Sequence, residues 1–249
     1  MIDLHIHILP GMDDGSPDLR ESVEMAQLAA DCGTRILVAT PHCNMTHMYE
    51  NTYSADYRRR FLRLQEKLEQ KEPSIRLLEG MEIFVTGNVA EKLRSGELIC
   101  LNHTRYPLVE FDFEAEESEI TIQLDRLLEA GYTPVLAHPE RYRCVNHNLN
   151  AVYQWYRMGV VIQINKSSVL GGFGRRVQRT VDAILRHRLA AVAASDAHSS
   201  EIRTPDLSHL QKVLDWDYGD GCSWLLLEEN PSRILEDREV LWEDPIPFD

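Results

Sequence analysis

The chain has 249 residues, 43% of them hydrophobic and 27% charged, and its 40 acidic against 26 basic side chains leave a net charge of −14 with ten histidines counted neutral. That composition is globular and excludes wholesale disorder, and the length matches one closed α/β barrel of about 250 residues. The acidic excess argues against nucleic acid or an anionic membrane as a partner, because both need a basic face.

The opening MIDLHIHILPGMDDG lacks the basic n-region of a leader peptide, and no stretch approaches the roughly 18 apolar residues of a membrane helix. Cys32, Cys43, Cys100, Cys144 and Cys222 are odd in number and scattered, with no C-x-x-C pair. A reduced, cytoplasmic protein that uses its thiols as small apolar residues is expected.

In chain order, Ile2–Ile8 reads as the first strand. After Ser16-Pro17, Asp18–Cys32 places Leu19, Val23, Ala26 and Ala30 on one helical face and stops at Gly33. Arg35–His42 is a strand, Tyr53–Lys71 a charged helix with a Phe61, Leu64, Leu68 stripe, and Arg76–Val85 and Tyr106–Asp112 are further strands. The helices Ser118–Ala130 and Leu149–Met158 stop at Gly131 and Gly159, and they bracket the strand Thr133–Glu140. Val160–Lys166, a helix over Gln178–Arg188, Ala190–His198 and a helix over Pro205–Leu214 follow, then an acidic surface tail from about residue 237. Several strands are apolar throughout, as strands buried on both faces are, and their alternation with helices predicts one parallel α/β domain.

The informative feature is where the polar residues fall. His5, His7, His42, Glu82, Glu110, His138, Asp196 and His198 stand at or near the C-terminal ends of strands. In a parallel barrel those ends converge on the face where active sites are built. Each piece alone has a plainer reading. H-x-H fits a half-exposed strand, Asp13-Asp14-Gly15 fits a turn, and a lone His42 fits a structural role. Carboxylates inside apolar strands are harder to explain, because burying Glu82 or Glu110 is costly unless each is paired or bound to a cation. Mixed imidazole and carboxylate donors suit Mn²⁺, Fe²⁺ or Zn²⁺ without singling one out, and there are too many of them for one ion.

Other signals fail. No cysteine has the arginine six positions on that a cysteine phosphatase needs; Val38, Tyr49, Tyr106, Asn150 and Glu228 stand there. Asp215 to Tyr218 begins like a calcium loop, but Leu226 occupies the closing position. Gly171-Gly172-Phe173-Gly174 fits neither a dinucleotide loop nor a P-loop and, with Arg175 and Arg176, reads as a solvated turn or a mobile loop at the barrel mouth. His47, His103, His147, His187 and His209 lie off the strand-end pattern, and Trp155, Tyr156 and Met158 read as core.

Taken in order, DLHIHILPGMDDG, TPH, GMEIF, LVEF, AHPERY and SDAH resemble the PHP family, named for polymerase and histidinol phosphatase. The DDG after H-x-H, the ERY, and Arg203 after SDAH resemble its bacterial capsule-related branch of metal-dependent protein-tyrosine phosphatases, over nearly the whole chain. The resemblance implies a distorted (β/α)7 barrel with three divalent ions, manganese foremost and iron or zinc as alternatives. It assigns His5, His7, Glu82 and Asp196 to the first ion. Glu82, Glu110 and His138 hold the second, and Asp14, His42 and His198 the third. Arg141 and Arg203 match arginines that contact phosphate, and the general acid stays open between Asp196, His198 and a metal-bound water. Two ions about 3.5–4 Å apart would activate a shared water for in-line attack on phosphorus. The implied substrate is a phosphotyrosine protein, a bacterial tyrosine kinase of capsule or exopolysaccharide synthesis. The Cys43–Tyr53 loop departs from the family pattern and leaves substrate preference open. Histidinol phosphatase is the nearest alternative, and a non-catalytic scaffold a distant one. An amidohydrolase fits poorly, since Glu110 and Lys166 stand where that class uses lysine and histidine.

Overall fold

The computed structural model describes residues 1–248. Nine short strands, all paired in parallel, stand where seven runs are expected. They are β1 (Ile2–Ile6), β2 (Ile36–Ala39), β3 (His42–Cys43), β4 (Arg76–Glu79), β5 (Glu82–Phe84), β6 (Leu108–Glu110), β7 (Val135–Ala137), β8 (Val161–Asn165) and β9 (Val192–Ala194). The difference arises because two expected strands are each cut in two. One breaks at Thr40-Pro41, the other at Gly80-Met81. The order is therefore β1-β2-β4 in one sheet and β3-β5-β6-β7-β8-β9 in the other. A bridge from Ile6 to Ala197 closes the ring, with the N–H of His7 donating to the Ala197 carbonyl at 2.9 Å. The result is a distorted barrel with seven strand positions.

Both breaks have local causes. Pro41 has no N–H for a ladder. A Cβ on Gly80 would lie 2.8 Å from Val38 Cγ1, so only glycine lets these strands approach. The backbone groups freed there are taken up by Tyr57, whose hydroxyl donates to the Gly80 carbonyl at 2.9 Å and accepts the Gly80 N–H at 3.2 Å. Beyond the breaks, His42 and Glu82 pair across β3 and β5. The β1 register also shifts between Asp3 and Ile6, where Asp3 Oδ1 accepts the N–H of Ser195 at 3.0 Å. Three irregularities thus lie directly below candidate site residues.

The interior is layered. Ile2, Leu4, Val38, Leu78, Leu108, Val135, Val161 and Val192 form one apolar cluster. Leu108 shares its strand face with Glu110, and Val161 with Gln163 and Asn165, so polar residues stand above this plug. The opposite strand faces, with Leu37, Ile83, Val109, Leu136 and Ile162, pack against helices. Burying each such side chain contributes roughly 1.5–3 kcal/mol.

Helices α1 (Leu19–Asp31), α2 (Ala55–Lys71), α3 (Val89–Ser95), α4 (Glu117–Glu129), α5 (Arg143–His147), α6 (Asn150–Arg157), α7 (Lys166–Val169), α8 (Gly174–Arg186) and α9 (Ser208–Tyr218) follow the chain. Asp18 and Ser54 cap α1 and α2 with side-chain oxygens. α8 begins earlier than Gln178, because the turn at Gly171 feeds straight into it and only its later positions carry the apolar stripe Val181, Ile184 and Leu185. The short α3, α5 and α7 have too little periodicity to be read from sequence. Trp155 and Tyr156 are buried, as core residues are. Residues 237–248 have no strand or helix, yet they are tied down. Val240 is buried, and the N–H of Ile246 donates to the His187 carbonyl at 3.0 Å. No helix among the described residues is long and apolar enough to cross a membrane.

Candidate metal centre

The C-terminal strand ends and the loops after them bring nine donor residues together, seven of them lining one small cleft of about 200 Å³ and the buried His5 and His7 lying against its Glu82. His5 and His7 leave β1, Glu82 opens β5, Glu110 closes β6, His138 follows β7, and Asp196 and His198 follow β9. Asp14 arrives on the loop after β1, and His42 opens β3. Larger clefts exist, including one of about 710 Å³ lined by Asn88, Arg94 and Arg126, but they hold no comparable set of donors.

The donors form four overlapping groups whose ligand atoms lie within 4.8 Å of one another: His7, Asp14, His42, His198; His5, His7, Asp196; His5, Glu82, His138; and His42, Glu82, Glu110. His5 Nε2 is 3.2 Å from Glu82 Oε1, and His7 Nε2 is 3.3 Å from Glu82 Oε2, so Glu82 lies at the centre. Asp196 Oδ1 closes that side at 3.6 Å and 3.4 Å from the same two nitrogens. His138 Nε2 stands 3.1 Å from Glu82 and 3.6 Å from Glu110. His42 and His198 each point Nε2 at Asp14 Oδ1 across 3.6 Å.

The electrostatics suit cations. His138 is pushed down to about 4 by burial, and His198 to about 2 by burial and by His7, so both are neutral with a lone pair to offer. Burial, with Glu82 and Asp196 close by, holds Glu110 well above the usual carboxylate range. Burial acts the same way on Glu82, but His5 and His42 outweigh it and keep that carboxyl ionised. One contact is diagnostic. His42 Nδ1 and Glu82 Oε2 approach to 2.9 Å, yet both are buried and neither has a hydrogen-bond partner. Buried donor atoms that converge at contact distance in a geometry poor for hydrogen bonding fit ligands aimed at a cation. The donor set fits divalent metal.

Two candidate ligand positions carry left-handed backbone, His138 at φ +36° and Asp196 at φ +50°. Such strain costs about 1–3 kcal/mol per residue and concentrates at functional sites.

All nine residues read from strand ends and the Asp-Asp-Gly turn join this donor cluster. Arg141 and Arg203 stand at its rim, Nη1 and Nη2 at 3.6 Å and 2.5 Å from Asp196 Oδ2. His47, His103, His147, His187 and His209 lie outside it.

Sequence reasoning missed the residues that act through others. Asp13 Oδ2 holds His7 Nδ1 at 2.7 Å. Gln163 Oε1 holds His5 Nδ1 at 2.9 Å, and its amide donates to Asn165 Oδ1 at 2.8 Å. Asn165 in turn donates to Asp196 Oδ2 at 2.5 Å. Such partners fix the ring orientation of ligating histidines. It also missed the aromatic rim of Tyr49, Phe113 and Phe173. Phe113 stands three residues past Glu110, Tyr49 lies in the loop after TPH, and the turn of Phe173 has the mouth of the barrel as one of its two sequence readings.

A parallel barrel whose strand ends gather imidazoles, carboxylates and two arginines in one cleft is the build of a metal-dependent hydrolase. The family model for capsular polysaccharide synthesis, CpsB/CapC, matches residues 1–236, and the chain belongs to that family. Tyrosine-protein phosphatase YwqE of Bacillus subtilis (strain 168) is 34% identical over 252 residues, covering 99% of this chain and 96% of the relative. Tyrosine-protein phosphatase CpsB of Streptococcus agalactiae serotype V is 30% identical, with 96% of this chain and all 100% of the relative covered. Among solved structures, the crystal structures of YwqE from Bacillus subtilis and CpsB from Streptococcus pneumoniae, metal-dependent tyrosine phosphatases, give a match with TM-score 0.93, 33% identity and 100% of both chains covered. The phosphotriesterase homology protein of Escherichia coli, at 13% identity and TM-score 0.61 over 94% of this chain and 96% of its own, shares the fold alone.

Proposed function

We propose that this chain is a metal-dependent protein-tyrosine phosphatase whose substrate is a bacterial tyrosine kinase of capsular or exopolysaccharide synthesis. The observation that carries the reading is the meeting of nine metal-type donors and two arginines on Asp196. The tyrosine phosphatase relatives, aligned over nearly the full chain, support the choice of phosphotyrosine.

In this reading three divalent ions, manganese foremost, share the cleft. His5, His7, Glu82 and Asp196 would hold one, Glu82, Glu110 and His138 the second, and Asp14, His42 and His198 the third. His7 and His42 lie near more than one group, so the partition is tight. When bound, the ions supply Lewis acidity and an activated water. The chain supplies the rest. Arg141 and Arg203 bind the non-bridging phosphate oxygens with paired N–H donors, and their charge counters the negative charge that develops in the transition state. Asp13 and Gln163 hold His7 and His5 in one ring orientation. A departing phenolate has a pKa near 10, which lowers the demand for proton donation. Asp196, which His5, His7 and Arg203 hold ionised against burial, and the neutral His198 carry no proton for that step near neutral pH. The five free cysteines fit a reducing, cytoplasmic setting.

The test compares hydrolysis of a phosphotyrosine peptide with that of histidinol phosphate by the Mn²⁺-loaded protein. We expect kcat/KM to favour the peptide. A clear preference for histidinol phosphate overturns the assignment.

A further inference from the structure

Arg141 is held in an unusual way for an arginine that is to meet phosphate. Its guanidinium carbon lies 4.4 Å from the centre of the Phe113 ring and 4.5 Å from the centre of the Phe173 ring. Its ion pair with Asp196 spans 3.6 Å, longer than a hydrogen bond. Arg203 differs, since it pairs with Asp196 at 2.5 Å and only approaches Phe173 at 5.8 Å.

A guanidinium is flat, and all its donors lie in the plane. Ring faces this close to the guanidinium carbon attract its charge, restrict where it can lie and compete for none of its N–H groups. The fork of Arg141 is therefore oriented without being consumed.

The two rings come from separate parts of the fold. Phe113 follows β6 and is 36% exposed at the mouth. Phe173 sits in the glycine-rich turn before α8, where Gly171 (φ +82°) and Gly174 (φ +86°) take left-handed backbone. A Cβ on Gly172 would lie 3.2 Å from the Ser167 carbonyl, so this turn packs closely on α7. The turn that matches no phosphate-binding loop in sequence thus delivers one ring to a phosphate-facing arginine.

We infer that Phe113 and Phe173 form an aromatic clamp that positions Arg141 for the phosphate of the substrate. The inference rests on the phosphatase reading above. Phe113 and Phe173 are positioning residues in this scheme, acting through Arg141.

The experiment uses the full Mn²⁺-loaded chain and two probes, inorganic phosphate titrated calorimetrically and turnover of an aryl phosphate. Phe173→Leu and Phe113→Leu keep apolar bulk and remove the π face. We expect each to weaken phosphate binding and to lower kcat/KM by about three- to thirtyfold, the range of one cation–π contact, with bound metal unchanged. Phe173→Trp restores both values. In an Arg141→Ala background, Phe173→Leu has no further effect. The clamp is overturned if both leucine variants bind phosphate as the parent does. It is overturned equally if tryptophan fails to rescue, or if the Phe173→Leu loss persists without Arg141. A parent protein that binds phosphate but turns over no aryl phosphate removes the phosphatase reading, while the titration still decides the clamp.

Discussion

Asp13 Oδ2 lies 2.7 Å from His7 Nδ1, and the same oxygen accepts the N–H of His42 at 2.8 Å. One buried carboxylate thereby orients a ligand candidate from β1 and ties it to the start of β3. Removing such a partner typically costs about 10–100-fold in metal affinity. We expect that loss in Asp13→Ala, read by Mn²⁺ titration, with unfolding still cooperative. Parent-like affinity would show that His7 does not depend on Asp13.

The break at Gly80 should matter for stability and for the site together. Tyr57→Phe leaves the buried Gly80 N–H and carbonyl without their hydroxyl partner, which costs about 1–3 kcal/mol. Gly80→Ala pushes a methyl against Val38 and costs about 1–3 kcal/mol through overpacking. Both should lower the urea midpoint and weaken Mn²⁺ binding, because His42 and Glu82 follow the break directly. A fall in stability with unchanged metal affinity would separate the break from the site.

Glu140 is buried, and burial pushes its carboxyl up to about 7. A folded-state value above the unfolded one adds stability that is fully present below the unfolded value, near 4.5, and is lost as pH rises through about 7. The full difference is roughly 3 kcal/mol at one pKa unit per 1.36 kcal/mol. Glu140→Gln keeps an acceptor for the Asn165 N–H and cannot ionise. Its urea midpoint should fall less than that of the parent between pH 5 and 8. Parallel curves would mean that Glu140 does not titrate in that window.

The chain carries a net −14, and Asp14, Glu82, Glu110 and Asp196 face the same cleft. Without cations this cleft should repel phosphate despite Arg141 and Arg203, since bound ions set the local sign. We expect phosphate binding by the Mn²⁺-loaded protein and little in excess chelator, measured by calorimetry. Tight binding in chelator would place the phosphate elsewhere.

The parallel barrel and the strand-end donors could be read because most strands are short apolar runs that end in a histidine or carboxylate. The cuts at Pro41 and Gly80 could not, since a kinked strand and a straight one share the same hydrophobic run. Their signals were present, a proline without a donor and a glycine inside a strand, but the clash that demands Gly80 exists only once Val38 faces it. Asp13, Gln163 and Asn165 escaped because they act on ligands that the chain brings near only in three dimensions. Phe173 escaped for a related reason: its turn reads as solvated until the end of the barrel places Arg141 over it.

The central claim is tested most directly by stripping the protein of metal and titrating it with Mn²⁺ while following phosphotyrosine-peptide hydrolysis and bound metal together. We predict no turnover in the stripped protein and activity that rises until three ions are bound per chain, with His5→Ala and Asp196→Ala inactive throughout. Full turnover in the stripped protein, or parent-like activity in either variant, would contradict the metal centre and the mechanism built on it.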